Sequence, residues 1–209
     1  MQYVEDGNAA FLFPCASDKP NVFLIGDSIR LGYCKTVKKE LADTAEVFFC
    51  DDNCRSTQYV IFSLRRWANN FSDPKKVDIV QFNCGHWDVA HWNGYAAPLT
   101  SETEYAKNIR MIIYLLKEYF PNAKIVFATT TPMNPSGLLG VNPRSNEEID
   151  TYNRIAKDIA AETGVTVLDL NGFTRNWGSE CYRDYCHFTE QAFAELGKEV
   201  ARNLTALLE

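Results

Sequence analysis

Short apolar runs that alternate with amphipathic segments constrain this chain more than any other feature. Val22-Phe-Leu-Ile25, Val47-Phe-Phe49, Val77-Asp-Ile-Val-Gln-Phe82, Lys124-Ile-Val-Phe-Ala128 and Val165-Thr-Val-Leu-Asp169 recur along its length. Runs this short suit strands covered on both faces. Between them the apolar spacing changes to three or four residues, the period of a helix. Ile29 to Leu41 carries Leu31, Cys34, Val37 and Leu41 on one face, and Ser56 to Trp67 has Tyr59, Phe62 and Leu64 as its apolar positions. Ser101-x-x-Glu104 and Ser145-x-x-Glu148 have capping-box spacing. They open helices that run to about Tyr119, before Pro121, and to about Gly164. Thr189 to Leu208 closes the chain with Phe193, Leu196, Val200, Leu204 and Leu207 on one stripe.

Strand and helix alternating five times predict a three-layer α/β/α flavodoxin-like sandwich. Its five-stranded parallel sheet is expected in the order 2-1-3-4-5, with right-handed crossovers. The 209 residues fit a single domain, with residues 1–20 as an irregular N-terminal extension broken by Pro14 and Pro20. The one long irregular connection, Thr130 to Arg144, is rich in Pro, Asn and Gly. Loops of that length in a compact domain are usually functional.

Lys and Arg number 21 against 27 Asp and Glu, a net charge of −6. That balance argues against nucleic acid or an anionic membrane surface as the main partner. No window is long and apolar enough for a transmembrane helix. The start, MQYVEDGNAAFLFP, lacks the basic and apolar regions of a secretory signal. The seven cysteines are odd in number and include no C-x-x-C pair, so reduced thiols in a cytoplasm are expected rather than a disulfide framework. Cys181, Cys186 and His187 are the nearest approach to a zinc set, and neither a metal nor an organic cofactor is expected.

Ligands of open parallel sheets bind beyond the carboxyl ends of the strands. The segments there are Gly26-Asp27-Ser28, Asp51-Asp52-Asn53-Cys54-Arg55, Asn83-Cys84-Gly85-His86-Trp87-Asp88 and Asp184-Tyr185-Cys186-His187. Ser28 stands at a strand-to-helix turn, where free N–H groups favour developing negative charge. It could also be a plain N-cap. Asp184 precedes His187 by three residues, so one turn could set a carboxylate on Nδ1 and leave Nε2 for a serine. A polar turn before a helix would look the same. With both features on one rim, the catalytic reading is the better one. Asp27 and Asp88 read as loop braces, Arg55 as a tie between loops, and Cys34, Cys50 and Cys84 as core filler.

These blocks resemble the SGNH/GDSL hydrolases, a family of serine esterases. Gly26-Asp27-Ser28 matches the first block, Asp184-x-x-His187 the last, and Gly85-x-x-Asp88 most of the third. Asn53-Cys54-Arg55-Ser56-Thr57 sits where the second block sits. The resemblance implies Ser28 as nucleophile, His187 as general base and acid, and Asp184 as its orienting group. It implies oxyanion donors from the backbone N–H of Ser28 and of Cys54, which stands where the family has glycine. Trp87 replaces the family's third-block asparagine, and Asn83 is the alternative third donor.

Trp87, Trp92, Tyr95, His86 and His91 cluster in the third loop. Aromatic faces with polar edges suit stacking on sugar rings, so His86, Trp87 and Trp92 are the expected substrate contacts. The expected activity is removal of small acyl groups, acetyl above all, from carbohydrate hydroxyls through an acyl-serine. The partner is then a small-molecule or oligosaccharide ester. A lysophospholipase or thioesterase acting on longer chains is the alternative, and a non-catalytic carbohydrate-binding protein the third reading.

Overall fold

The computed structural model describes residues 12–209. Five parallel strands, β1 (Asn21–Ile25), β2 (Glu46–Phe49), β3 (Val77–Phe82), β4 (Lys124–Ala128) and β5 (Thr166–Leu168), form one sheet in the order β2-β1-β3-β4-β5. Six α-helices connect and cover them: α1 (Ser28–Glu40), α2 (Thr57–Ala68), α3 (Glu102–Tyr119), α4 (Asn146–Thr163), α5 (Leu170–Thr174) and α6 (Glu190–Leu208). This is the architecture expected from the sequence. Among the described residues no helix is long and apolar enough to cross a membrane.

Strand alternation sorts the core into two layers. Val22 and Leu24 of β1 face α1 and α6, where Tyr33, Val37, Leu196 and Val200 meet them. Phe23 and Ile25 face the other way, toward Val60 and Leu64 of α2 and Ile109, Ile112 and Leu116 of α3. A polar pair sits inside the first layer: Tyr33 and Gln81 are fully buried and hydrogen-bond to each other at 3.0–3.1 Å. It fixes α1 over β3, because neither group has water to fall back on.

Helix boundaries follow their caps. Ser145 and Glu148 form the reciprocal capping box expected of them, and Gly164 ends α4 in the left-handed conformation (φ 69°). The Ser101 hydroxyl accepts the Glu104 N–H at the start of α3. In α2 the expected apolar face is rotated. Val60, Leu64 and Trp67 are buried, but Phe62 is 87% exposed. Positions 60, 64 and 67 share one face at helical spacing, and position 62 lies off it.

Residues 12–20 carry no strand or helix except one bridge, Phe13 to Phe71. Phe13 inserts its ring among Phe23, Phe48 and Phe71 at the lower end of the sheet. Part of the expected extension is thus core.

The α1–α6 contact places α1, the helix that begins at Ser28. A Cβ on Gly32 would lie 2.2 Å from the Phe193 ring, and one on Gly197 would lie 2.6 Å from Thr36 Cβ. Alanine is better than glycine inside a helix by about 1 kcal/mol, but overpacking a core costs about 1–3 kcal/mol. Gly32→Ala should therefore lower the midpoint of urea unfolding despite its better propensity. Phe193→Leu in the same background should recover part of the loss. A Gly32→Ala protein as stable as the wild type would show that the ring yields freely.

Candidate active site

The upper rim brings together the ends of four segments. Gly26 follows β1 directly, and a Cβ there would lie 1.9 Å from Asn83 Oδ1 and 2.7 Å from Arg30 Cβ. Only glycine lets β3 and α1 close so tightly on the turn. Asp27 is the N-cap of α1, its carboxylate accepting the Ile29 N–H at 3.0 Å. The cap is therefore Asp27, and Ser28 is the first helical residue. Among the described residues the Ser28 N–H donates to no backbone or side-chain acceptor.

Ser28 Oγ lies 2.7 Å from His187 Nε2. On the far side of the ring, Nδ1 faces Asp184 at 2.8 and 3.0 Å. The Asp184 carboxylate also accepts the N–H groups of Cys186 (3.0 Å) and His187 (2.8 Å). Burial pushes the Asp184 pKa up, but these N–H donors and the His187 ring outweigh it and hold the group below its ordinary value. The carboxylate is thus charged and fixed, and it orients the imidazole. The turn from Asp184 to His187 is closed by Arg183 N–H to His187 O at 2.9 Å.

The donor expected from Cys54 is not free. Its N–H bonds Gly26 O at 3.0 Å and latches the second loop onto the β1–α1 turn. The left-handed backbone that suits glycine falls one residue later, on Arg55 (φ 49°). The resemblance placed that position one residue early. The Arg55 N–H is held by Asn53 Oδ1 at 3.0 Å.

Asn83 has the same strand parity as Ile79 and Gln81, whose side chains lie on the α1 side of the sheet. It is 4% exposed, and its amide packs on Gly26. Its Oδ1 is buried without a donor. The Asn83 amide also helps restrain Asp27, whose pKa burial raises.

The expected substrate contacts separate. His86 is 3% exposed, with Nε2 3.2 Å from Thr131 Oγ1, so it is part of the wall rather than a platform. Burial first, then the charges of Arg144 and His187, push its pKa well down and keep the ring neutral. Trp87 and Trp92 do meet, ring to ring at 5.5 Å. With Arg55, Tyr59, Phe62 and Leu99 they line a cleft of about 450 Å³. Arg55 lies over the Tyr59 ring at 4.9 Å and near the Trp87 ring at 6.0 Å, linking the second loop to the third. His91 faces elsewhere, between Tyr95 O (2.8 Å) and Glu148 (2.6 Å).

Two buried arginines escaped the sequence reading. Arg30 is fully buried and donates to the carbonyls of Cys50 (2.7 Å), Gly26 (3.2 Å) and Asp52 (2.6 Å). It cages the second loop against α1. Arg144 is 9% exposed and donates from Nε to His86 O. Arginines read as surface residues unless a partner is visible, and theirs are backbone carbonyls that a sequence does not advertise.

Among the described residues the one group of metal-type ligands that converges is Asp184, Cys186 and His187, within 4.8 Å. Its His187 Nδ1 and Asp184 oxygens already bond each other, so the cluster is the Asp184–His187 turn itself. The seven cysteines are free thiols.

Asp88 is fully buried and accepts the Thr57 hydroxyl at 2.6 Å and the Thr57 N–H at 3.1 Å, capping α2. Burial nonetheless pushes its pKa up to about 6. An unfolded aspartate titrates near about 3.9. Asp88 therefore favours the folded state below that value, and the contribution is lost as pH rises through about 6. Asp88→Asn should flatten the fall in stability between about pH 4 and 6, read as the urea midpoint against pH. An unchanged profile would remove Asp88 as its source.

Known proteins place this geometry. The GDSL-like Lipase/Acylhydrolase family matches residues 24–194. A GDSL esterase/lipase of Arabidopsis thaliana is 28% identical over 113 residues, 48% of this chain and 47% of that protein. The chain thus spans about half the length of that curated relative. The fold is shared with a lipase/acylhydrolase from Enterococcus faecalis, at TM-score 0.70 and 20% identity over 90% of this chain and 96% of that one. It is shared with an acetyl xylan esterase at TM-score 0.68 and 16% identity, over 88% and 99% of the two chains. A carbohydrate acetylesterase from Sinorhizobium meliloti superposes at TM-score 0.66 and 14% identity, over 90% and 100%. With the match running from β1 into α6 and enclosing both ends of the Ser28–His187 pair, the chain belongs to the GDSL-like lipase/acylhydrolase family.

Proposed function

We propose that the protein is a serine esterase that removes acetyl groups from carbohydrate hydroxyls. The observation that carries the ester chemistry is the continuous relay from Asp184 through His187 to Ser28 Oγ, at 2.8 and 2.7 Å. His187 Nε2 takes the serine proton as Oγ attacks the ester carbonyl carbon. The tetrahedral intermediate collapses, and His187 returns the proton to the departing sugar oxygen. Water then enters, gives a proton to His187 and attacks the acyl carbonyl carbon. The second tetrahedral intermediate collapses to acetic acid as the C–Oγ bond breaks and His187 returns the proton to Ser28 Oγ.

The negative charge on the intermediate needs donors already in place. The Ser28 N–H at the head of α1 is one, aided by the helix dipole. The Asn83 amide, packed on the β1–α1 turn, is the second.

The substrate class rests on the cleft. Two indoles, one phenol and the Arg55 guanidinium offer flat faces with polar edges. Sugar rings stack on such faces through their apolar C–H surfaces while their hydroxyls reach the rim. The two acetylesterase structures share the fold with this chain, and that likeness adds no argument about substrate.

A specific observation favours a second reading, hydrolysis of longer acyl chains. Leu138, Leu139 and Val141 stand 54%, 68% and 78% exposed on the loop after β4. Comparing p-nitrophenyl acetate, butyrate and octanoate separates the readings. Preference for acetate supports deacetylation, and preference for octanoate overturns it.

Ser28→Ala should lower kcat by about a thousandfold or more. Its melting temperature should stay within about 2 °C, because little buried surface is lost. A variant keeping a tenth of wild-type turnover would exclude Ser28 as nucleophile. Asn83→Ala should lower kcat about a hundredfold with little change in KM, the signature of a transition-state donor. Equal loss in both parameters would give Asn83 a binding role instead. Trp87→Ala should raise KM for acetylated xylo-oligosaccharides more than for p-nitrophenyl acetate, and parallel changes would count against the platform.

A further inference from the structure

The wall beside His187 contains a cation with no counter-charge. Arg144 closes the long loop after β4, one residue before the cap of α4. It is 9% exposed, yet among the described residues no carboxylate lies within 4.0 Å of it. Its protein contacts are modest for a buried charge. Nε donates to His86 O, and the guanidinium lies over the Tyr185 ring at 5.4 Å. Nη1 is buried with no partner. Neither nearby acid pairs with it. Asp184 serves His187 and two N–H groups, and Asp27 caps α1 through Oδ1 while its Oδ2 stays buried without a hydrogen-bond partner.

Burying a charge is costly unless it is paired, and natural structures rarely leave one so. Arg30, the other buried guanidinium, leaves its Nε unpartnered but meets three carbonyls, whereas Arg144 meets one. The position matters as much as the missing partner. The Tyr185 ring that backs Arg144 stands edge-to-face on His187 at 6.1 Å. The loop wraps this ring closely, for a Cβ on Gly140 would lie 2.6 Å from it. The cation is thus one aromatic ring removed from the catalytic base. A planar guanidinium fork matches a carboxylate's two oxygens, which a point charge would not.

We propose that Arg144 binds a carboxylate carried by the ester substrate, so that the enzyme acts on acidic rather than neutral esters. This rests on the sugar-ester reading above and refines it. The carboxylate comes from one of two places, the sugar, as in a uronic acid, or the acyl group, as in a hemisuccinate.

Three substrates on one frame test this: mono-O-acetyl methyl galactoside, its galacturonide counterpart, and the mono-O-succinyl galactoside. Wild-type kcat/KM should favour one acidic ester over the neutral one by at least about tenfold, chiefly through KM, as expected for a charged hydrogen bond. The arm that shows the preference locates the carboxylate. In Arg144→Gln the ratio of acidic to neutral should fall toward one, with Arg144→Lys between. A merely structural role would depress all substrates together and leave the ratio where it was. The ratio in the wild type stands alone if either variant fails to fold. Equal rates on all three wild-type arms overturn the inference and leave the sugar reading intact. A preference that persists in Arg144→Gln overturns it too. If no sugar ester is cleaved while p-nitrophenyl acetate is, the sugar reading fails and this inference falls with it.

Discussion

The close approach at Gly26 is what the rest of the site depends on. Its carbonyl accepts both the Cys54 N–H and Arg30 Nη2, and its bare Cα lies against the Asn83 amide. Two loops distant in sequence, and the first turn of α1, are thereby pinned to one peptide unit. The next residue caps α1 and the one after carries the hydroxyl. A side chain at position 26 would push β3 away from β1, or α1 away from both. Backbone hydrogen bonds tolerate such shifts poorly when no water can replace them.

The site concentrates polar groups in a region the core would otherwise make apolar. Asp27, Asp88, His86, Arg30 and Arg144 are all at least nine-tenths buried. Asp27 and Asp88 titrate high because burial penalises their charge, and His86 titrates low for the same reason. Asp184 goes the other way, since three N–H donors offset its partial burial. Asp184, the carboxylate on His187 Nδ1, is thus held toward its charged form, whereas burial favours the neutral forms of Asp27, Asp88 and His86.

Much of this was legible in the residues. Short apolar runs alternating with amphipathic segments carried the strand order, because the helices that separate the strands each bury one face and leave few ways to pack. Ser28, Asp184 and His187 were legible because each sits at a strand end or before a helix, where position alone limits what a polar side chain can meet. What was not legible depends on geometry finer than a residue's place in an element. The apolar face of α2 turned on whether Phe62 lay with Val60 and Leu64, and helical phase put it outside. The glycine-like position of the second loop fell on Arg55 rather than Cys54, a one-residue shift visible only in φ. His86 resembled its aromatic neighbours in composition, but Thr131 and Arg144 draw it inward.

The two walls of the site are coupled through how their loops are held. The second and third loops, with Arg55, Tyr59 and Trp87, are fixed by the α2 cap and by the Cys54 latch. The Tyr59 and Trp87 rings are half-buried there. The loop after β4, with Gly140 and Arg144, is held to the Asp184–His187 turn by Asn134, which donates to Asp184 O from its amide at 2.9 Å and to Tyr185 O from its backbone at 2.9 Å. The loop after β4 thus grips the very turn that carries the acid and the base. The same loop also grips the third loop, through the His91 N–H to Pro143 O (3.0 Å), the Asn93 N–H to Asn142 Oδ1 (2.9 Å) and Arg144 Nε to His86 O, so a shift of the aromatic loop reaches the Asp184–His187 turn as well. The alignment of Asp184 on His187 is thus coupled, through one set of hydrogen bonds, to both loops.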